Sequence, residues 1–274
     1  MSGYLGVGNT ARKVKELYVG VGNTARVVQK AYIGVGNTAR VVQKAYIGVG
    51  NVARLWYTRG TQLGSLAVGS SVYFKVNNVR TQWLVVQQGN PNASIYDASC
   101  DGTWLLMKDI YKERQWHNAN VNDYAGSTIH SYLNSTFLRL LEAGVRSAVK
   151  QVKIPYRPGS GSSQTSATGA NGLSAKVFLL SATEIGFKAS SVPIGEGAEL
   201  AYFDSQSKRV ANLNGSAASW ALRSPYCDGS TRVMYIDRKG YFNDIICYTS
   251  NGVRPCIVLP KGTLLDDNNN VIGG

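Results

Sequence analysis

A fourteen-residue phrase repeats at the start of the chain, and it constrains the fold more than any other feature. Copies begin at Tyr4, Tyr18 and Tyr32, and a diverged copy begins at Tyr46. Each copy reads Tyr, an aliphatic residue and Gly-Val-Gly-Asn, followed by Thr-Ala-Arg or, in the last copy, Val-Ala-Arg. Such an array is typical of repeat architectures and not of an enzyme core. It therefore indicates a fibre, a stalk or a docking module.

The repeat predicts β-strands joined by tight turns. Between two turns, residues 39–49 alternate an apolar series with a basic, amphipathic series, as a single strand of about eleven residues requires. A helix capped by Asn37 is the alternative, because fourteen residues also make two heptads. The recurring Gly-Val-Gly and the β-branched residues disfavour that helix. Gly and Asn tolerate positive φ, so the turns are predicted at Gly8-Asn9, Gly22-Asn23, Gly36-Asn37 and Gly50-Asn51.

Charge is concentrated in the repeats. The formal net charge is +13, and residues 1–59 contribute +8 of it through nine Lys/Arg and one Glu. A basic array can bind phosphate, but no recognisable nucleic-acid motif accompanies it. A solvated strand face, or a strand edge protected by charge, explains the pattern. We therefore do not expect nucleic acid as a partner.

Compartment and redox state follow from what the sequence lacks. There is no apolar run of transmembrane length, so no membrane insertion is expected. The chain enters its first repeat without a signal-peptide pattern, which favours assembly in the cytosol. Its cysteines, at positions 100, 227, 247 and 256, form no Cys-x-x-Cys pair. Free thiols are expected, with a disulfide among the last three left open.

The composition and the hydrophobic pattern of the sequence change after a linker that we place at residues 60–70. Residues 71–274 predict irregular strands, polar loops and one amphipathic helix, so the fold class is mainly β with some α: an N-terminal β-repeat module followed by an α+β domain. The repeats alone cannot bury their apolar series, so we expect an oligomer. The predicted elements are strands at 72–76, 82–86, 103–107 and 176–180, a helix at 128–141, a turn at 181–184, and an exposed loop at 157–174.

Five motifs of this second domain carry a resemblance. They are Trp83-Leu84-Val85-Val86, His130-Ser131-Tyr132-Leu133-Asn134 with Phe137, Val177-Phe178-Leu179-Leu180-Ser181 with Glu184, Trp220-Ala221-Leu222-Arg223-Ser224-Pro225, and Asn251-Gly252-Val253-Arg254-Pro255. Together they resemble an uncharacterised domain family of bacterial and prophage proteins. That family resembles the C-type-lectin-like fold of formylglycine-generating enzymes and of variable receptor-binding proteins of phages. The repeats resemble Gly-Val-Gly arrays at the start of tail-associated prophage proteins.

The resemblance implies a bacteriophage virion protein, a tail fibre or adhesin, assembled in the bacterial host cytoplasm. Residues 1–59 would contact other virion proteins and form a homo-oligomer, with a trimer favoured as in fibre-like proteins. The C-type-lectin-like domain would bind a host cell-surface glycan or protein. The alternatives are a non-binding structural or decoration protein of the phage head or tail and, third, an enzyme of the formylglycine-generating type.

Receptor binding is expected between Tyr226 and Asn251. Tyr gives a large contact area at low entropic cost, and small polar groups adapt to a partner. Trp220, Arg223, Pro225, Arg254 and Pro255 are expected to be core and scaffold, since a buried Arg must be paired. The predicted receptor-binding residues are Tyr226, Asp228, Arg232, Tyr235, Asp237, Arg238, Tyr241, Asn243, Asp244, Tyr248 and Asn251.

No catalytic residue, metal ligand or cofactor is assigned from the sequence. His117 and His130 are the only histidines, and each is expected to be hydrogen-bonded at a surface or helix end. Formylglycine-generating enzymes use a close cysteine pair, whereas Cys247 and Cys256 are nine residues apart without a matching context. The oxygen-rich run 266–270 could hold calcium, but its apolar flanks favour a terminal hairpin.

Overall fold

The computed structural model describes residues 60–159, 165–188, 196–226 and 229–272, together with eight strands between residues 3 and 58. The chain divides into two compact units, Met1–Gly60 and Thr61–Gly274. Strands far outnumber helices in both, so the protein is mainly β.

Four antiparallel hairpins form the first unit. Each pairs two consecutive strands, and among the described residues no strand of one hairpin is paired with a strand of another. In the third hairpin Val35 lies opposite Thr38, which leaves only residues 36 and 37 between the strands. The strands are β1 (Gly3–Val7), β2 (Thr10–Val14), β3 (Tyr18–Val21), β4 (Thr24–Val27), β5 (Tyr32–Val35), β6 (Thr38–Val41), β7 (Lys44–Val49) and β8 (Val52–Thr58).

The prediction of strands in place of a helix is confirmed, but the single long strand at residues 39–49 is wrong. That stretch contains most of β6, which pairs backward with β5, and all of β7, which pairs forward with β8. Two strands with different partners replace one, because each repeat closes its own hairpin. The four predicted Gly-Asn turns lie outside the described residues.

The second unit contains sixteen strands and three short helices among its described residues. The helices are α1 (Thr128–Tyr132), α2 (Leu138–Leu140) and α3 (Ala143–Ala148). The strands are β9 (Thr61–Gln62), β10 (Ser71–Val76), β11 (Val79–Gln88), β12 (Thr103–Met107), β13 (Lys112–Gln115), β14 (Val152–Ile154), β15 (Leu173–Ala175), β16 (Val177–Phe178), β17 (Ala211–Leu213), β18 (Ser216–Ala218), β19 (Trp220–Pro225), β20 (Arg232–Ile236), β21 (Phe242–Ile246), β22 (Ser250–Val253), β23 (Cys256–Leu259) and β24 (Leu264–Leu265).

Two five-stranded sheets organise this unit. The first has the order β10-β11-β12-β23-β16, and the second has the order β13-β22-β19-β20-β21. The first sheet separates two hydrophobic cores: Trp83 and Val85 face one, whereas Leu84 and Val86 face the other. Both faces of β11 are buried here, which explains why residues 83–86 form an uninterrupted apolar run.

A two-residue turn at Asn77 and Asn78 joins β10 to β11. Both residues have positive φ, 49° and 64°, which matches the twist that a two-residue hairpin needs. The predicted strands on either side and the third strand at 103–107 are confirmed.

The predicted helix is also confirmed, as one helical stretch from Thr128 to Leu140. α1 passes through a π-helical turn, Leu133–Phe137, into α2. The Ser127 side chain accepts a hydrogen bond from the His130 amide and caps the first turn. Three residues of the predicted apolar face, Ile129, Leu133 and Phe137, are buried in the first core.

Three boundary predictions have different outcomes. Residues 61–70 are not a free linker, because β9 pairs with β24 and Leu63 is fully buried. The loop at 157–174 is anchored at both ends, since Arg157 is buried and β15 pairs with β14. The terminal hairpin is confirmed: the Asp266 amide donates to the Asn270 carbonyl, and the Asp266 carboxylate accepts from its own loop. Among the described residues, no helix is both long and apolar enough to cross a membrane.

Candidate functional site

The segment predicted to bind a receptor folds as a hairpin and the strand after it. β20 and β21 pair with Tyr235 opposite Asn243, and β22 returns to the middle of the second sheet. β21 is the edge strand of that sheet. In this segment β20 and β22 are each paired on both sides, and β21 is paired on one side only.

Two tyrosines of this segment are strongly exposed. Tyr241 is 54% exposed and Tyr248 is 47% exposed. They flank β21, whose five residues alone span about 17 Å. The two rings thus belong to opposite ends of the hairpin and do not form one aromatic patch.

Several predicted binding residues are engaged within the hairpin itself. Arg232 forms an ion pair with Asp244 on the neighbouring strand. The Asp237 carboxylate accepts hydrogen bonds from the Lys239 and Tyr241 amides, which closes the β20–β21 turn. Of the other predicted binding residues in the hairpin, Arg238 and Asn243 are exposed, as is the neighbouring Lys239. Tyr226 and Tyr235 are half-buried.

Asn251 is wrongly placed among the binding residues. It is only 3% exposed, and its side-chain oxygen accepts hydrogen bonds from the Ser219 hydroxyl and the Gly252 amide. β22 lies between β13 and β19, so the pairing on both sides buries this position. Asp228 lies outside the described residues.

Sequence reasoning missed a second loop that joins this segment. The Asn122 side chain is fully buried, and its Nδ2 donates to the carbonyl oxygens of Gly229 at 2.8 Å and Arg232 at 2.9 Å. Its backbone amide donates to the Ser230 carbonyl at 2.8 Å. Asn122 therefore holds the loop that precedes β20, and nothing in an Asn-rich stretch of sequence distinguishes it from its neighbours.

The Cys247 turn completes the same junction. The Cys247 carbonyl accepts from the His117 amide, and its own amide donates to the Thr231 carbonyl, each at 2.9 Å. Its thiol donates to the Ala119 carbonyl at 3.2 Å. The three segments 117–122, 229–232 and 247–250 are thus joined by hydrogen bonds into one loop junction at one end of the β20–β21 hairpin.

A buried ionic centre is formed around Arg223 of β19. Arg223 donates to both carboxylate oxygens of Glu184, at 2.5 and 2.7 Å, and to the Leu179 and Pro155 carbonyls. Its Nε lies 3.9 Å from Glu196 Oε1, and all three side chains are fully buried. The sequence predicted that Arg223 would satisfy carbonyls, but not its pairing with two carboxylates.

The environment of the second carboxylate changes its acidity. Burial raises the pKa of Glu196 to about 7, although Arg223 and the Ser224 hydroxyl oppose that change. Burial likewise raises the pKa of the Tyr96 hydroxyl, which donates to Glu184 at 2.8 Å. With no exposed atom, this centre stabilises the fold and does not meet a ligand from solution.

The remaining motif residues also lie in the core. Trp220 is fully buried and its indole N–H donates to the Arg209 carbonyl. The Arg254 guanidinium lies 4.9 Å from the Trp220 ring centroid and donates to the Met107 carbonyl. Burial lowers the pKa of Arg254 to about 10. Pro225 and Pro255 are buried beside them.

The described cysteines are separate thiols. Cys100, Cys247 and Cys256 are free and buried, and Cys227 lies outside the described residues. Cys247 packs in the first core and Cys256 in the second, so these two do not form a pair. Within the described ranges, no group of three or more His, Cys, Asp or Glu side chains is arranged to hold a metal ion.

Comparison with known proteins adds one finding. A sequence model of a family described as a domain of unknown function, DUF6273, matches residues 101–261, more than half of the chain. No curated protein and no solved structure matches the sequence. The matched region contains the loop junction, the ionic centre and the β20–β21 hairpin, but it begins after β10 and β11.

Proposed function

The chain belongs to the DUF6273 family, and for this member we propose the role of a bacteriophage virion protein, a tail-fibre-like adhesin that attaches to a receptor on the host cell. The exposure of Tyr241 and Tyr248 carries this proposal. Exposed aromatic side chains on a rigid support are the anchors that protein interfaces use most. Only four large hydrophobic side chains are strongly exposed among those described, and two belong to this segment.

The receptor-binding unit is a C-type-lectin-like domain. Three features support that finer assignment: two five-stranded sheets, one antiparallel and one mixed, few and short helices, and the pairing of β9 with β24, which brings the beginning and the end of the unit together. The five sequence motifs of the resemblance fall on its sheets, on its helix and in its ionic centre.

The repeats attach the protein to other virion proteins and to further copies of itself. Isolated two-stranded hairpins are at best marginally stable in water. Four of them in a row, each in a sheet of its own, gain stability by stacking against equivalent hairpins of other copies. We favour a trimer, by analogy with fibre-like proteins.

Of the two competing functions, the formylglycine-generating type has the less support. That chemistry uses a close cysteine pair, and Cys247 and Cys256 lie in different cores. A decoration protein of the head or tail would use the same rigid exterior without a receptor. Attachment to cells separates this second function from the adhesin.

The test is binding of the fluorescently labelled full chain to a panel of bacterial strains. A triple variant with Tyr235→Ala, Tyr241→Ala and Tyr248→Ala should abolish attachment, because aromatic anchors commonly contribute about 2 kcal/mol each. Folding of this variant should be unchanged. Val79→Ala is the matched control, since Val79 is 66% exposed on the β10–β11 hairpin, outside the segment.

Two results would overturn the proposal. If the wild-type chain binds no strain while the protein is still found in particles, the decoration role replaces it. If the triple variant binds as well as the wild type, the segment is not the receptor site. A Trp220→Ala variant serves as the folding reference, since its core cavity should cost roughly 3–5 kcal/mol whatever the receptor.

A further inference from the structure

We propose that the loop junction binds a neutral saccharide, through the surface formed by residues 117–121, 229–231 and 248–250. This inference rests on the proposed function, and it places a saccharide contact at one end of the β20–β21 hairpin. It also adds the loop at 117–121, which lies outside the segment Tyr226–Asn251.

The three segments form one surface because their backbones are bonded to one another. Asn122, directly after the first segment, binds the carbonyls of Gly229 and Ser230 in the second. Cys247, directly before the third, binds Thr231 in the second and Ala119 in the first. Each segment therefore has a fixed position relative to the other two, as a preorganised site requires.

The side chains on this surface match an uncharged, hydroxyl-rich ligand. No described residue of 117–121, 229–231 or 248–250 carries a formal charge, although the whole chain has a net charge of +13. Arg232, which follows the second segment, is paired with Asp244. Asn118 and Asn120 are exposed, and an amide both donates and accepts hydrogen bonds, as a sugar hydroxyl does. The half-exposed Tyr248 ring and Val121, 45% exposed, offer apolar surface to the C–H face of a pyranose.

The other end of the hairpin differs in chemistry. Tyr241 follows a turn that contains Asp237, Arg238 and Lys239, and the last two of these are exposed. Asp237 is already occupied with the amides of that turn. The proposed saccharide surface does not include this charged end of the hairpin, and Tyr241 is left to the wider receptor-binding segment.

A protein receptor fits the loop junction less well. A stable protein interface buries about 800 Å² per partner around a fully buried apolar centre. Val121 and Tyr248 are the only strongly exposed large hydrophobic side chains described in the three segments. A saccharide, which makes a smaller contact and is recognised by a few polar groups and one ring, matches that composition.

The experiment measures binding of the labelled full chain to cells of a strain that it recognises, after two treatments. Periodate cleaves the vicinal diols of sugars, and proteinase K removes surface proteins. We expect periodate to reduce binding at least tenfold and proteinase K to leave it unchanged. Tyr248→Ala and Asn120→Ala should each weaken binding at least tenfold, whereas Val79→Ala, the control for an exposed apolar side chain outside the segment, should change it less than twofold.

A printed array of neutral, sialylated and sulfated oligosaccharides gives the second readout. Retention on neutral oligosaccharides that Tyr248→Ala abolishes supports the inference. Loss of cell binding on proteinase K treatment, retention on charged glycans only, or dependence on Tyr241 in place of Tyr248 would overturn it while the adhesin role stands. If no strain is bound, the adhesin role fails, and the array alone decides for or against a saccharide site.

Discussion

At the residue scale, the sharpest physical feature is the carboxyl group of Glu196 in a site without solvent. Burial disfavours its charged form. The groups that face it are Arg223, Glu184, the Ser224 hydroxyl and the Arg157 amide. Because the bidentate partner of Arg223 is Glu184, Glu196 receives only part of the compensating positive charge, and its pKa rises to about 7.

This pKa makes stability depend on pH. The unfolded chain releases the Glu196 proton near pH 4.5, whereas the folded protein holds it to about pH 7. The free energy of unfolding should therefore fall as pH rises between these values, by on the order of 3 kcal/mol. Urea denaturation at pH 5 and pH 7.5 measures the difference.

Glu196→Gln is the control for that measurement. Its amide cannot titrate, so the variant should lose most of the difference between the two pH values. Burial lowers the pKa of His130, which acts in the opposite direction, but this contribution is common to both proteins and cancels in the comparison. Equal pH dependence in the variant and the wild type would remove Glu196 as the cause.

Arg223 offers a second prediction at this scale. Arg223→Ala would leave the buried carboxylate of Glu184 without its partner, and breaking a buried pair in this way costs roughly 3–5 kcal/mol. Arg223→Lys should recover only part of the loss, because a lysine cannot donate to both carboxylate oxygens with a planar fork. Chemical denaturation of the wild type and the two variants measures the order of their stabilities. A lysine variant as stable as the wild type would contradict the role of the fork.

At the element scale, the β10–β11 turn connects sequence to structure most directly. Asn77 and Asn78 both adopt positive φ, a conformation that costs most side chains about 1–2 kcal/mol and that Asn tolerates. The turn fixes which residues of β10 and β11 lie opposite each other, and hence which face each core.

Substitutions at Asn78 test that connection. Asn78→Gly should keep or slightly raise the stability, since Gly adopts this conformation without strain. Asn78→Ala should lower the free energy of unfolding by about 1 kcal/mol. Urea denaturation of both variants provides the measurement. Both substitutions remove the same exposed amide, so the variants differ in backbone strain in the folded state and in the entropy of the unfolded chain. An Ala variant as stable as the Gly variant would contradict the strained, positive-φ conformation at position 78.

Elements with a local signal were predictable, whereas those that depend on distant partners were not. The helix at 128–140 follows from the apolar spacing of Ile129, Leu133 and Phe137, and the β10–β11 hairpin from Asn77-Asn78 between two apolar runs. β9, by contrast, exists because β24, about two hundred residues later, pairs with it. Residues 61 and 62 carry no signal of that partner, so they were assigned to a linker.

The candidate site shows the same division. Tyr241 and Tyr248 were recognisable from composition, because a Tyr, Asn, Asp and Ser mixture is typical of binding loops. Asn251 belongs to the same mixture yet is buried, because β13 and β19 flank its strand. The clamp by Asn122 joins segments more than a hundred residues apart, and no pattern within one segment encodes it.

At the scale of the whole molecule, the two units differ in how much apolar surface each can bury by itself. The second unit buries two cores and a complete ionic centre of its own. The first consists of hairpins in separate two-stranded sheets, whose sequences alternate apolar and basic residues. Its stabilisation must therefore come from additional contacts, and the proposed assembly with other copies supplies them.

The last prediction follows from that contrast. The full chain should be a homo-oligomer in solution, with a trimer favoured, because an isolated two-stranded hairpin cannot bury the apolar residues of its strands. A fragment of residues 61–274 should remain folded and become monomeric, since its cores are complete without the repeats. Light scattering coupled to size-exclusion chromatography measures both masses, and the oligomer should persist at about 0.5 M salt because apolar contacts are not screened as charge pairs are. A monomeric full chain with ordered repeats would contradict self-assembly, and a fragment of the same oligomeric state as the full chain would transfer the assembly interface to the second unit.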